Sequence, residues 1–301
     1  MQRFPDGARV CFVGDSLTAQ NQVLPRVVDC YKRTFPDARI EFFNCGVAGG
    51  TAACVLDYLE DDVFIHNPTH AVVAFGANDS FRWGLQFPPD LERYGHMLRA
   101  YEKFQQTMTE LCDRLIERGV QVILGTPAPY AEYQKSEEQA YNGGYALLAG
   151  YADYVRLLAR EKNLPLCDYH AYLTRQMQGD VLFTQDRVHP NPHGYYYMAK
   201  CFLAFQGLEL GDECDIPMYL DAWRQAIRPL RDLYAAECMI VHGYRLPIRE
   251  KVRIAQSKTG KEQLPHVNYF AQAFLDHYAR KEEYLSNIHA IYARDVWGDK
   301  L

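Results

Sequence analysis

The chain has 301 residues, a formal net charge of −6 and 48% hydrophobic residues, the makeup of a globular protein with one large domain or one domain plus a smaller addition. The acidic balance excludes broad attraction to nucleic acid or to an anionic membrane surface. No window holds the roughly 18 uninterrupted apolar residues of a spanning helix.

The first residues contain no apolar signal stretch. The nine cysteines form no C-x-x-C pair and read as reduced, buried thiols. The expected location is therefore cytoplasmic, with no membrane association.

Arg9–Val13 is a short apolar run that ends in Gly14-Asp15-Ser16-Leu17, the pattern of a buried strand delivering a serine to its carboxyl end. A helical pattern follows from about Thr18 to Phe35, then a strand over Ile40–Asn44, a glycine-rich stretch Gly46–Gly50 and a helix after Thr51. Ala71–Phe75 reads as a third strand and leads into Gly76-Ala77-Asn78-Asp79. The amphipathic stretch Asp90–Arg118 closes at Gly119 before a fourth strand, Val120–Gly125, and Leu164–Cys167 makes a short fifth.

Strands this apolar on both faces suit a parallel sheet covered by helices on each side, with functional groups gathered at the strand ends. Ser16, Gly49, Asn78 and Thr126 all fall just past such ends. Asp186-Arg187-Val188-His189-Pro190 precedes a helix expected from near Pro192 through Phe202. From about Cys214 the pattern changes to amphipathic helices over Asp215–Val241 and His266–Ile291, separated by the more polar and basic Leu246–Gly260. Residues 1–210 are thus expected to form the α/β domain and 211–301 a helical extension. The extension would serve as a cap or as an oligomerisation element joining two copies, with a partner-binding module as the alternative.

A serine hydroxyl needs a base within hydrogen-bond reach and a third group to fix that base's tautomer. His189 can be the base for Ser16, and Asp186, three residues earlier, can hold the imidazole. Pro190 and Pro192 forbid a regular helix directly after His189. Acyl transfer also needs donors aimed at an oxyanion; the N–H groups of Ser16 and Gly49 and the side-chain amide of Asn78 suit that role. Asp79 and Thr51 read as groups that hold these loops.

Each residue also has a plainer explanation. Ser16 could cap the helix from Thr18, Asn78 could be a turn residue, Gly49 could only permit a tight turn, and His189 alone could be a loop histidine. His66 and His70 are four apart but separated by Pro68, which disfavours a shared metal, and Gly46–Gly50 lacks the GxGxxG and lysine patterns of nucleotide loops. No metal and no cofactor are expected.

The ordered blocks resemble the SGNH (GDSL) hydrolase superfamily over about residues 8–207. Gly14-Asp15-Ser16-Leu17, Asn44-Cys45-Gly46-Val47-Ala48-Gly49, Gly76-Ala77-Asn78-Asp79 and Asp186-Arg187-Val188-His189-Pro190 match its four blocks. The resemblance implies a three-layer α/β/α sandwich of flavodoxin-like type with a parallel sheet of about five strands. It assigns Ser16 as nucleophile and oxyanion donor, Gly49 and Asn78 as further donors with Gly46 as an alternative, and Asp186 and His189 as the rest of the triad.

The implied activity is hydrolysis of a small-molecule O-acyl ester through an acyl-enzyme. The first expectation is a short, acetyl-like acyl group carried on a carbohydrate; a short-chain lipid ester or an acyl thioester is the alternative. A carbohydrate- or protein-binding module without turnover is a different class on the same fold. Aromatic loop residues, Trp83 and Tyr130 above all, are expected to contact the substrate.

Overall fold

The computed structural model describes residues 3–212, 215–240 and 278–299. Strands β1 (Arg9–Gly14), β2 (Glu41–Gly46), β3 (His70–Ala74), β4 (Gln121–Gly125) and β5 (Leu166–Cys167) form one parallel sheet in the order β2-β1-β3-β4-β5. Alternate strand residues point to opposite faces. Val10 and Phe12 therefore join Phe42, Val72 and Ile123 in one core, while Cys11 and Val13 join Phe43, Cys45, Val73 and Leu124 in the other. Being apolar at nearly every position, these strands need cover on both faces. Helices α2 (Val23–Thr34) and α7 (Pro192–Phe205) supply it on the first, and α3 (Ala52–Tyr58), α4 (Leu91–Glu117) and α5 (Gly144–Glu161) on the second.

The chain runs from β1 to β2 on one side and then passes β1 to reach β3 on the other. This reversal opens a crevice beyond the carboxyl ends of β1 and β3, where open α/β sheets hold their ligands. Gly14, at the end of β1, pairs with Gly46 of β2 and Ala74 of β3. A β-carbon on Gly14 would lie 2.3 Å from Thr18 Oγ1, and one on Gly46 would lie 2.3 Å from the Ala19 nitrogen. The missing side chains let the turn that follows β1 lie directly across the sheet end.

The single helix expected over Thr18–Phe35 is instead a one-turn helix, α1 (Ser16–Ala19), and α2. Asn21 breaks it by adopting φ 53°, a region that asparagine tolerates better than most residues. Asn44 of β2 holds the break, its Nδ2 donating to Asn21 Oδ1 at 3.1 Å and to the Thr18 carbonyl at 2.9 Å. Helix α5 is absent from the sequence expectations; it buries Leu148, Tyr151, Val155 and Leu158. The short helix α6 (Tyr169–Gln176) begins at Asp168, which caps it and pairs with Arg156 of α5 at 2.8 Å.

Within the extension, α8 (Asp221–Ile240) and α9 (Lys281–Tyr292) pack on each other and along β2. Trp223, Ile227 and Tyr292 enter the first core, and Leu230, Leu233 and Tyr234 the second. The Tyr292 hydroxyl donates to the Ile40 carbonyl at 3.0 Å. These helices cover an edge of the sheet that would otherwise present unpaired backbone groups. The expected polar stretch Leu246–Gly260 and the first part of His266–Ile291 lie outside the described residues.

Candidate active site

The extended N-cap of α1 is Asp15, whose carboxylate accepts from the Leu17 N–H at 2.9 Å. Ser16 is thus the first residue of the turn rather than its cap, which leaves its hydroxyl uncommitted to the helix. Asp15 is the better sequence candidate for a cap, since it precedes the helical run and carries an acceptor on a short stem.

Ser16 Oγ lies 2.8 Å from His189 Nε2, across 173 residues of chain. On the other side of the ring, His189 Nδ1 is 2.5 Å from Asp186 Oδ2. The second carboxylate oxygen, Oδ1, accepts from the Thr184 hydroxyl at 2.8 Å and from the Val188 and His189 N–H groups, each at 2.9 Å. Burial pushes the Asp186 pKa up, but the His189 ring and these donors outweigh it and hold the carboxyl down at about 2. Asp186 is therefore ionised at neutral pH, the state that fixes an imidazole tautomer.

Arg187, between them, has φ 63° and is buried. Its guanidinium donates to the carbonyls of Ala131, Glu132, Gln134 and Glu138, and its own carbonyl accepts from the Ala131 N–H at 2.9 Å. The arginine binds the 131–138 loop to the acid–base loop.

Gly49 has φ 75°, is exposed, and would give a β-carbon no contact within 4 Å. Among the described residues, neither its N–H nor that of Ser16 donates to an acceptor. The alternative donor Gly46 is different: it sits buried at the end of β2 with its N–H taken by Asn44 Oδ1 at 2.9 Å. The Asn78 amide donates one proton to the Gly50 carbonyl at 3.0 Å, which orients the group, and its second proton meets no acceptor among the described residues. Asp79 Oδ1 accepts from the Ala52 N–H at 3.0 Å, and Thr51 caps α3, so both tie the glycine loop to its neighbours. Thr126, at the end of β4, is buried, its hydroxyl donating to Asp168 and accepting from the His170 N–H.

The aromatic expectations divide. Trp83 is 41% exposed, on the loop after Asn78, and its ring meets Phe81 edge-on at 5.3 Å. Tyr130 is 1% exposed, stacked against Tyr141 with its hydroxyl taken by the Tyr141 N–H at 2.9 Å. The expected contact between Tyr130 and substrate is corrected accordingly: the ring supports the crevice from below. Arg82 is a charged residue of the Trp83 loop absent from the sequence expectations. Arg82 donates to the Ala77 carbonyl, beside Asn78. Burial lowers its pKa, while the Asp15 and Asp186 carboxylates act to raise it.

Cys45, Asp62 and His66 offer metal-ligand atoms within 4.8 Å of one another. The Arg231 guanidinium already engages both Asp62 oxygens, so the positive charge a cation would bring is covalently present. His66 stacks on Phe43 at 4.1 Å, and burial pushes its pKa down to about 3. His70 has its own partner, the Thr69 hydroxyl at 2.8 Å. Among the described residues no helix is long and apolar enough to cross a membrane.

Residues 12–197 match the GDSL-like lipase/acylhydrolase family, more than half of the chain. The chain belongs to this family. The GDSL hydrolase is accordingly a carboxylic ester hydrolase. No curated protein matches its sequence.

Among solved structures, a gut microbial diltiazem-metabolizing enzyme is 16% identical with a TM-score of 0.71, covering 98% of this chain and 96% of its own. An acetylxylan esterase from Geobacillus stearothermophilus is 21% identical with a TM-score of 0.59, covering 70% of this chain and 100% of its own. An α/β hydrolase from the metagenome of Lake Arreo is 24% identical with a TM-score of 0.57, covering 68% and 97%. At these identities the likeness is one of fold. The first of them extends through the C-terminal extension of the GDSL hydrolase, whereas the other two cover about the length of its α/β domain.

Proposed function

We propose that the protein is a serine esterase working through an acyl-enzyme, with Ser16, His189 and Asp186 as its triad. The observation that carries this reading is the unbroken hydrogen-bond chain from Ser16 Oγ through both ring nitrogens to Asp186. Ser16 Oγ attacks the acyl carbon while its proton passes to His189 Nε2. The resulting oxyanion is received by the Ser16 and Gly49 N–H groups and by Asn78 Nδ2, donors of the kind that stabilise such a charge. Collapse breaks the bond to the alcohol oxygen, which takes the proton from His189. Water then repeats the sequence on the acyl-enzyme, releasing the acid and restoring Ser16.

The substrate we propose is a short acyl group, such as acetyl, on a carbohydrate. The acetylxylan esterase among the fold neighbours supports that reading, as does the exposed Trp83, an aromatic face of the kind that packs on sugar rings. Hydrolysis of p-nitrophenyl acetate by wild type and Ser16→Ala tests the mechanism. A loss of roughly 10³-fold or more is expected, and equal rates in both would remove the proposal. A panel of acyl esters and acetylated sugars then ranks the substrate classes, with lipid esters and acyl thioesters as the competing outcome.

A further inference from the structure

A groove of about 440 Å³ separates α8 from the turn that follows Ser16. Gln20, Asn21 and Ala48 line one side, and Arg224, Gln225 and Arg228 of α8 line the other. The Gln20 N–H donates to the Ser16 carbonyl at 3.0 Å, and Ala48 is the neighbour of Gly49. One wall of the groove is therefore continuous in the chain with both the nucleophile and the oxyanion glycine.

Three donors of residues that line this groove, Asn21 Nδ2, Arg224 Nε and Arg231 Nε, are buried and have no acceptor among the described residues. Asn21 is 6% exposed and Arg231 4%. These three atoms are closed to solvent, so an occupant of the groove meets instead the exposed lining side chains of Gln20, Gln225 and Arg228, two primary amides and a guanidinium that offer donors and acceptor oxygens together. The charges narrow its class. Arg224 is paired with Asp221 at 3.0 Å, Arg228 with Asp232 at 3.7 Å, and Arg231 with Asp62. With every one of these cations matched by a carboxylate, the groove holds no net attraction for an anion. It offers donors and acceptors together, the complement of a hydroxyl. Its volume lies in the range of about 300–1,000 Å³ typical of small-molecule sites, well beyond what an acetyl group fills.

We infer that this groove, walled by the C-terminal extension, is the subsite for the alcohol half of the ester and takes a neutral saccharide of one or two rings. As a substrate subsite it rests on the serine esterase reading; as a binding site it is tested without turnover. The full-length Ser16→Ala protein is titrated by calorimetry with unacylated cellobiose, maltose and xylobiose, and with inorganic phosphate as the charged probe. Saturable binding of at least one disaccharide is expected, weakened tenfold or more when Gln225→Ala and Arg228→Ala are added. Both positions are exposed, and far-UV circular dichroism checks that the variant remains folded.

The inference is overturned if no disaccharide binds, if the added substitutions leave binding unchanged, or if phosphate binds more tightly than every sugar. Absent sugar binding with Ser16-dependent hydrolysis of p-nitrophenyl acetate removes the groove assignment and keeps the esterase. Sugar binding with Ser16-independent hydrolysis does the reverse.

Discussion

Asp79 stands behind the crevice in an unusual electrostatic position. Burial pushes its carboxyl up to about 8, and the neighbouring Asp15, itself raised to about 6 by burial, adds to the shift. Its Oδ2 is buried without a hydrogen-bond partner among the described residues, while Oδ1 accepts from the Ala52 N–H. A group whose folded pKa lies above its unfolded value of 3.8 binds more protons when folded, so it opposes unfolding only while protonated in both states. Its contribution is present below about pH 4 and is lost as pH rises toward 8. Asp79→Asn keeps an oxygen for Ala52 and removes the ionisation. The Tm of the variant minus that of wild type should therefore grow more positive between pH 4 and 8. Parallel Tm profiles across that range would show that Asp79 does not carry the shift.

The loop from Thr184 to Pro190 is an element built around a strained arginine. The φ of 63° at Arg187 costs about 1–2 kcal/mol for a residue with a β-carbon. Hydrogen bonds from a charged donor contribute about 1.5–3 kcal/mol each, and this guanidinium reaches the carbonyls of Ala131, Glu132, Gln134 and Glu138. The bonds outweigh the strain. Arg187→Gly, which relaxes the backbone, should therefore be less stable than wild type in urea, and Arg187→Lys should lose about 2–3 kcal/mol because an ammonium cannot span the same carbonyls. In both, kcat on p-nitrophenyl acetate should fall, since Asp186 and His189 flank the altered residue. A glycine variant more stable than wild type would mean that strain dominates.

Local patterning made much of this element legible: the helix does begin at Pro192 with Asn191 as its cap, and each of the five strands lies at or within a few residues of its apolar run. What sequence could not convey were contacts between distant segments. The break at Asn21 depends on Asn44 reaching across from β2, while Leu17, Val23 and Leu24 all reach one core and carry the apolar period through it. Tyr130 carries no sign in its own loop that Gly144 will pack against its ring. Helix α5 starts from glycines that signal a turn, and its apolar face becomes recognisable only against α4 and the sheet.

At the scale of the molecule, the extension is fastened to the α/β body by a buried ion pair. Arg231 of α8 engages Asp62, with side chains 4% and 1% exposed, and also donates to the Gly46 carbonyl at 3.3 Å. Burial works against the arginine's charge, but the Asp62 carboxylate overrides it and holds the guanidinium far above its ordinary pKa. A pair of this kind adds little net stability because both partners lose their hydration, yet removing one partner strands the other at a cost of about 3–5 kcal/mol. Asp62→Ala should lose that much in urea unfolding, and should loosen α8 and the groove it walls. The double replacement Asp62→Leu with Arg231→Met, apolar and similar in volume, should recover most of the loss. Its saccharide binding should still be weakened, because Arg231 lines the groove. Stability and groove function would then separate in one protein. If Asp62→Ala lies within about 1 kcal/mol of wild type, a value typical of exposed pairs, the pair does not hold α8 to the sheet, and the apolar contacts of Trp223, Leu230 and Tyr234 suffice.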